Sequence, residues 1–143
     1  ANKAKGAMLE LKSIKHFEDL GYFAFSVRKT RVTKFGTINE DLFGCADSMA
    51  VQSGCKNTLV QSTTDTAESI TAHERKIFGG VPIGTTGRSA LDHLRSWYAE
   101  NGVFGMMLWS QPNGHNWVGR WREYPLFEIE AKHMAIVGRR RKK

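Results

Sequence analysis

Placed at about 100° per residue, Ala4, Ala7, Met8, Leu11, Ile14, Phe17 and Leu20 fall on one broad arc, which predicts a helix over residues 4–20. Lys5, Lys12, His16 and Asp19 fall opposite, and Gly21 supplies the terminating residue. Residues 22–27, rich in aromatic and β-branched side chains, read as a strand. Two further strand-like runs, 48–51 and 58–63, are separated by Gly54, Lys56 and Asn57, so they read as adjacent antiparallel strands. On the second run Leu59, Gln61 and Thr63 share one face, and Val60 and Ser62 the other.

Thr64-Asp65-Thr66 is a helix-start signal for a helix over 67–78. Gly79-Gly80 and Pro82 break the chain, and Thr85-Thr86-Gly87 leads into a second helix, over 88–101. Its apolar stripe is Ala90, Leu91, Leu94, Trp97 and Tyr98, and Gly102 ends it. Residues 103–109 and 117–124 read as strands around the Pro112-Asn113-Gly114 turn, and 128–137 as a last short strand or helix. The order predicts one α/β domain, 1–138, followed by a basic tail, 139–143. Its central mixed β-sheet is flanked by the Glu10 helix on one side and the later helices on the other.

A chain of 143 residues is long enough for one real core. No apolar run approaches membrane-spanning length and no signal-peptide pattern opens the chain, so an intracellular location and no membrane partner are expected. Cys45 and Cys55 read as free thiols, and no Cys/His group has zinc spacing. The net charge of +7 is unevenly spread. Residues 1–35 carry eight basic and three acidic side chains, residues 36–138 eight and eleven, and the tail five basic ones. Basic ends around an acidic middle point to a polyanion, although a basic tail can also be merely solubilising.

Glu10 lies inside the apolar arc of the first helix, where a carboxylate is costly unless a salt bridge or a cation compensates it. Asp47 opens the 48–51 strand, and Gln61 sits within the next one. A carboxylate beside a side-chain carbonyl oxygen at the end of a hairpin can hold a hard divalent cation. Arg28, Arg31 and Lys34 lie between the first strand and Asp41, and with Lys5 they are candidates for phosphate contacts. A solvated hairpin is the plain alternative.

The arrangement of Lys5-Gly6, Glu10, Gly21-Tyr22, Arg28, Asp47 and Gln61-Ser62-Thr63 resembles the restriction-endonuclease-like PD-(D/E)xK nuclease superfamily. Its signature is an acid, a short hairpin, then acid-x-lysine. The likeness is greatest to archaeal-type Holliday junction resolvases and related phage endonucleases, and it covers roughly residues 3 to 78. Gln61 stands where the family usually has Glu or Asp, and Thr63 where it usually has Lys. The resemblance implies a DNA endonuclease in which Glu10, Asp47, Gln61 and the Ser62 carbonyl hold Mg²⁺ or Mn²⁺. Thr63 would orient the attacking water, and a homodimer would act on DNA, branched junctions among its substrates. Lys76, on the next helix, is the candidate to replace the missing lysine; Asp41, in Asp41-Leu42-Phe43-Gly44, is a secondary acid. The alternative is a non-catalytic nucleic-acid-binding protein that keeps the fold without the chemistry.

Overall fold

The structure, a computed structural model, describes residues 2–80 and 87–141. It is a single α/β layer stack. A five-stranded mixed sheet in the order β1-β4-β5-β6-β7 is built from β1 (Phe23–Ser26), β4 (Ser48–Val51), β5 (Asn57–Thr64), β6 (Gly102–Ser110) and β7 (Val118–Glu123). The neighbours are antiparallel except β5 and β6, which run parallel with Gln61 opposite Met106. The parallel pair requires a crossover, which α2 (Ala67–Phe78) and α3 (Ala90–Ala99) supply. A separate two-stranded hairpin, β2 (Lys29–Thr33) and β3 (Gly36–Glu40), leaves the sheet between β1 and β4.

The two faces of the sheet have separate cores. On one face α1 (Asn2–Asp19) contributes Leu9 and Phe17, which pack with Ala50, Val60, Met107 and Trp109. On the other, α2, α3 and α4 (Leu126–Arg141) bury Ile77, Leu91, Leu94 and Ile129 against Leu59, Phe104, Met106 and Leu108. The alternation expected for β5 holds in this sense: Leu59 and Val60 enter opposite cores. The helix starts follow from local chemistry. Thr66 Oγ1 accepts from Ser69 N–H, and Ser89 and Asp92 form a reciprocal capping box, so α3 starts at Ala90 instead of at the expected residue 88. The expected break at Pro82 and the Thr85-Thr86 lead-in lie outside the described residues. The last segment is a helix, and it continues past the expected boundary at 138 to Arg141.

The buried face of α1 differs from the expected arc. Leu9, Glu10, Ser13 and Phe17 are buried, whereas Leu11 is 67% exposed and Leu20 also faces solvent. Hydropathy alone rotates the stripe wrongly, because this helix buries a serine that has partners in the sheet and a glutamate that pairs with Arg28. Ser13 Oγ accepts from Trp109 Nε1 at 2.9 Å and lies 2.7 Å from Ser62 Oγ.

Candidate metal centre

Asp47 sits in the turn that enters β4, held by its own N–H donating to Val60 O and by Val27 N–H donating to its carbonyl. The preceding Asp41-Leu42-Phe43-Gly44 run is a tight turn in which Gly44 N–H donates to Asp41 O, and Leu42 and Ala46 form an antiparallel bridge. Phe43 takes a left-handed backbone, φ 57°, which costs a residue with a Cβ about 1–2 kcal/mol. Its ring stacks on His93 at 4.7 Å, a contact that offsets part of that cost. The turn thus brings Asp41 and Asp47 to the same end of the sheet.

Asp47 is fully buried. Its Oδ2 accepts from Ser62 N–H at 2.9 Å and from Gln61 Nε2 at 3.3 Å, and its Oδ1 accepts from Ser48 Oγ at 3.0 Å. Ser62 Oγ lies 3.3 Å from Asp47 Oδ1 as well as 2.7 Å from Ser13 Oγ, and its single proton serves one of the two at a time. Burial pushes the Asp47 carboxyl up to about 7, and the charges of Glu10 and Asp41 add to the effect. The donors from Ser62 and Ser48 oppose it without restoring an ordinary value.

Glu10 comes to this place from α1 and Gln61 from β5, at 7% and 3% exposure. Glu10 Oε2 lies 3.5 Å from Arg28 Nη1, and Arg28 Nε lies 3.1 Å from Asp41 Oδ1, an ion pair without hydrogen-bond alignment. Glu10 Oε1 and Gln61 Oε1 are buried with no hydrogen-bond partner among the described residues. Leaving such an oxygen unpaired costs about 1–3 kcal/mol each. Gln61 Nε2 meanwhile donates to both Asp47 Oδ2 and Ser62 O, at 3.3 and 3.2 Å. A glutamate at 61 would set a second carboxylate against Asp47; the glutamine amide presents N–H groups there instead.

The structure therefore joins Asp47, Gln61 and the Ser62 carbonyl by hydrogen bonds and sets Glu10 near enough for its charge to act on Asp47, with Arg28 pairing Glu10 and Asp41. Among the described residues no three His, Cys, Asp or Glu side chains gather as a metal site. The set here has two carboxylates, an amide and a backbone carbonyl. Its donors are all oxygen and two of them are orphaned, which fits a hard cation such as Mg²⁺ or Mn²⁺. Thr63 is buried next to Ser62 on β5.

No family model, curated protein or solved structure matches this chain.

The remaining candidates are dispersed. Lys5 is exposed on α1, its ammonium 5.7 Å from the centre of the Trp117 ring. Lys34 is exposed at the turn of the β2–β3 hairpin, and the Arg31 side chain lies outside the described residues, as do those of the tail from Arg139 onward. Lys76 is exposed on α2 near the Asp41 end of the site: its charge and that of Asp41 both act on Cys45 and on His73. Burial, then the Lys76 charge, hold the His73 imidazole below its usual range, which keeps it neutral near pH 7. Cys45 and Cys55 are free thiols, the first buried. On β7 the arginines make ion pairs, Arg120 with Asp65 and Arg122 with Glu128, so they brace the sheet edge. The sequence reading missed Ser13, Ser48 and Trp109 as supports of the site, and the pairing of Arg28 with Glu10 and Asp41. Ser13 stands three residues from Glu10, on the same helix face, and that spacing was its one available signal.

Among the described residues no helix is long and apolar enough to cross a membrane.

Proposed function

We propose that this protein is a divalent-metal-dependent DNA endonuclease that hydrolyses phosphodiester bonds, with branched junctions among its substrates. One observation carries the reading. Glu10 and Gln61 each bury an oxygen that has no hydrogen-bond partner among the described residues, and the Gln61 amide is hydrogen-bonded to both Asp47 and the Ser62 carbonyl. The order of elements supports it: the helix with Glu10, then the β4–β5 hairpin with Asp47 at its entry and Gln61-Ser62-Thr63 on its second strand. That order of elements agrees with the family resemblance, with Gln61 and Thr63 standing where the signature has an acid and a lysine.

Glu10, Asp47, Gln61 and the Ser62 carbonyl would hold Mg²⁺ or Mn²⁺, which when bound polarises a scissile phosphate and lowers the pKa of water. Arg28, at the rim between Glu10 and Asp41, has a planar guanidinium suited to a phosphate oxygen pair. Ser62 and Ser48 fix the Asp47 carboxylate from behind. Thr63 orients water by a hydrogen bond, and Lys76 adds positive charge from α2. A two-fold junction would be met by a homodimer of this chain.

A second reading has its own support. Arg28 and the Gln61 amide already present N–H groups to the acids, as a self-neutralised remnant would. In that reading the protein binds nucleic acid without cutting it. Labelled duplex, single-stranded and four-way-junction DNA, incubated with Mg²⁺, Mn²⁺ or EDTA, separates the two. Metal-dependent cleavage that disappears in Asp47→Asn supports the nuclease. Absence of cleavage, together with a melting temperature that ignores Mn²⁺, would leave only the binding protein.

A further inference from the structure

Among the described residues three buried side-chain polar atoms have no hydrogen-bond partner: Glu10 Oε1, Gln61 Oε1 and Arg28 Nε. All three belong to the candidate centre, and their needs differ in sign. The two oxygens are acceptors, which a cation satisfies, whereas Nε–H is a donor, which an anion satisfies. A cation alone would answer the oxygens, leave Nε–H unmatched and bring a second positive charge up to the guanidinium. An anion alone would answer Nε–H, leave both oxygens unmatched and add negative charge beside Glu10 and Asp41. A cation and an anion together match all three atoms.

The geometry of Arg28 is that of a group able to change partners. Its Nη1 lies 3.5 Å from Glu10 Oε2, long for a charged pair, and its Nε lies 3.1 Å from Asp41 Oδ1 without hydrogen-bond alignment. A site neutralised for good would hold its guanidinium in well-aligned hydrogen bonds to one carboxylate. Here the guanidinium is divided between two acids. The backbone beside it is fixed, because Val27 N–H donates to Asp47 O at 3.0 Å and Ser26 Oγ donates to the same oxygen at 3.4 Å. Only the side chain has to move. It is 29% exposed, against 10% for the Glu10 side chain, so an anion arriving from solvent meets Arg28 before Glu10.

We infer that Arg28 is an exchangeable internal counter-ion, which pairs with Glu10 in the ligand-free protein and passes to a phosphodiester oxygen as a divalent cation takes Glu10. The centre then binds cation and phosphodiester as a pair, each tightening the other. This rests on the metal-dependent reading and adds its regulation: the cation is held weakly until substrate arrives.

The test is Mn²⁺ binding by the full chain, followed through the paramagnetic resonance signal of free Mn²⁺. It is run with dimethyl phosphate, the smallest phosphodiester, and with sodium chloride at the same ionic strength. The proteins are wild type, Arg28→Lys and Arg28→Met. Dimethyl phosphate should tighten Mn²⁺ binding by wild type at least about 5-fold over chloride, the lower end of ordinary coupling between two sites. Arg28→Lys, which keeps the charge, should keep part of that gain. Arg28→Met, which keeps the length without the charge, should bind Mn²⁺ more tightly than wild type in chloride and gain nothing from dimethyl phosphate. Wild type with equal Mn²⁺ affinity in the two salts overturns the inference, and that comparison decides alone if Arg28→Met does not fold. Arg28→Met that folds and binds Mn²⁺ no more tightly than wild type in chloride also overturns it. In both cases Mn²⁺ binding that is lost in Asp47→Asn keeps the metal-dependent reading. Wild type that binds no Mn²⁺ in either salt overturns both.

Discussion

Replacing Asp47 with asparagine should make the metal-free protein more stable at neutral pH, and the structure sets the size of the effect. The carboxyl is fully buried and pushed up to about 7 from an ordinary 3.8. Between those values the native state holds a proton that the unfolded chain has released. Native stability therefore falls as pH rises from about 4 to about 7 and levels off above it. A shift of about three units corresponds to a loss of about 4 kcal/mol at most. Asparagine does not titrate, and its Oδ1 still accepts from Ser62 N–H, but it gives up acceptors used by Ser48 and Gln61. Those two hydrogen bonds, at about 1 kcal/mol each, leave a net gain of about 1–3 kcal/mol at pH 8. Urea denaturation of both proteins at pH 4.5, 6 and 8 in EDTA measures it, since other carboxylates titrate alike in both and cancel in the difference. If the two stabilities run parallel with pH, or if Asp47→Asn is the weaker protein at pH 8, Asp47 is a compensated structural carboxylate and the argument from repulsion fails. With Mn²⁺ added, the wild type should gain stability and the variant should not.

Lys76→Ala should lower the cleavage rate more than the DNA affinity, read from single-turnover kinetics beside a binding isotherm; equal reductions would make Lys76 a phosphate-binding residue only. Deleting residues 139–143 should weaken DNA binding and flatten its dependence on log salt by roughly one unit for each phosphate the tail had neutralised, and an unchanged slope would exclude the tail from the interface. Gly105→Ala should destabilise by about 1–3 kcal/mol, because a Cβ there would press on the Trp121 ring and come within 2.7 Å of the Arg122 carbonyl oxygen; a thermal melt equal to wild type would contradict that packing.

The elements that follow from local chemistry were legible in the chain. The Thr66 cap, the β4–β5 pair and the 67–78 helix appear where the residues set them, because each rests on contacts a few positions apart. Glu10 is found buried at the site, but the reason for its burial was not accessible from periodicity. The α1 face is chosen by Ser13, which meets Trp109, a residue far along the chain, and no hydropathy ranking puts a serine in a core ahead of Leu11. Arg28 was legible as a cation and not as the partner of Glu10 and Asp41, since that pairing depends on where the hairpin folds back. The hairpin itself carries a mixed polar sequence without strict alternation, and the chain offered it only as the plain alternative to a basic segment placed for phosphate contacts.

The parallel pairing of β5 with β6 has a consequence for how the protein is made. Every proposed metal-binding residue lies within the first 62 positions, yet the strand carrying Gln61 has β4 on one side and β6 on the other, with Gln61 opposite Met106. During synthesis the antiparallel β1, β4 and β5 can meet early, but the far edge of β5 stays unsatisfied until the crossover helices and β6 have emerged. A fragment ending at residue 80 would hold all four donors and leave them unassembled. The proposed ligands would thus come together only after more than a hundred residues have been joined, so a nascent chain carries these acids well before the sheet that positions them is complete.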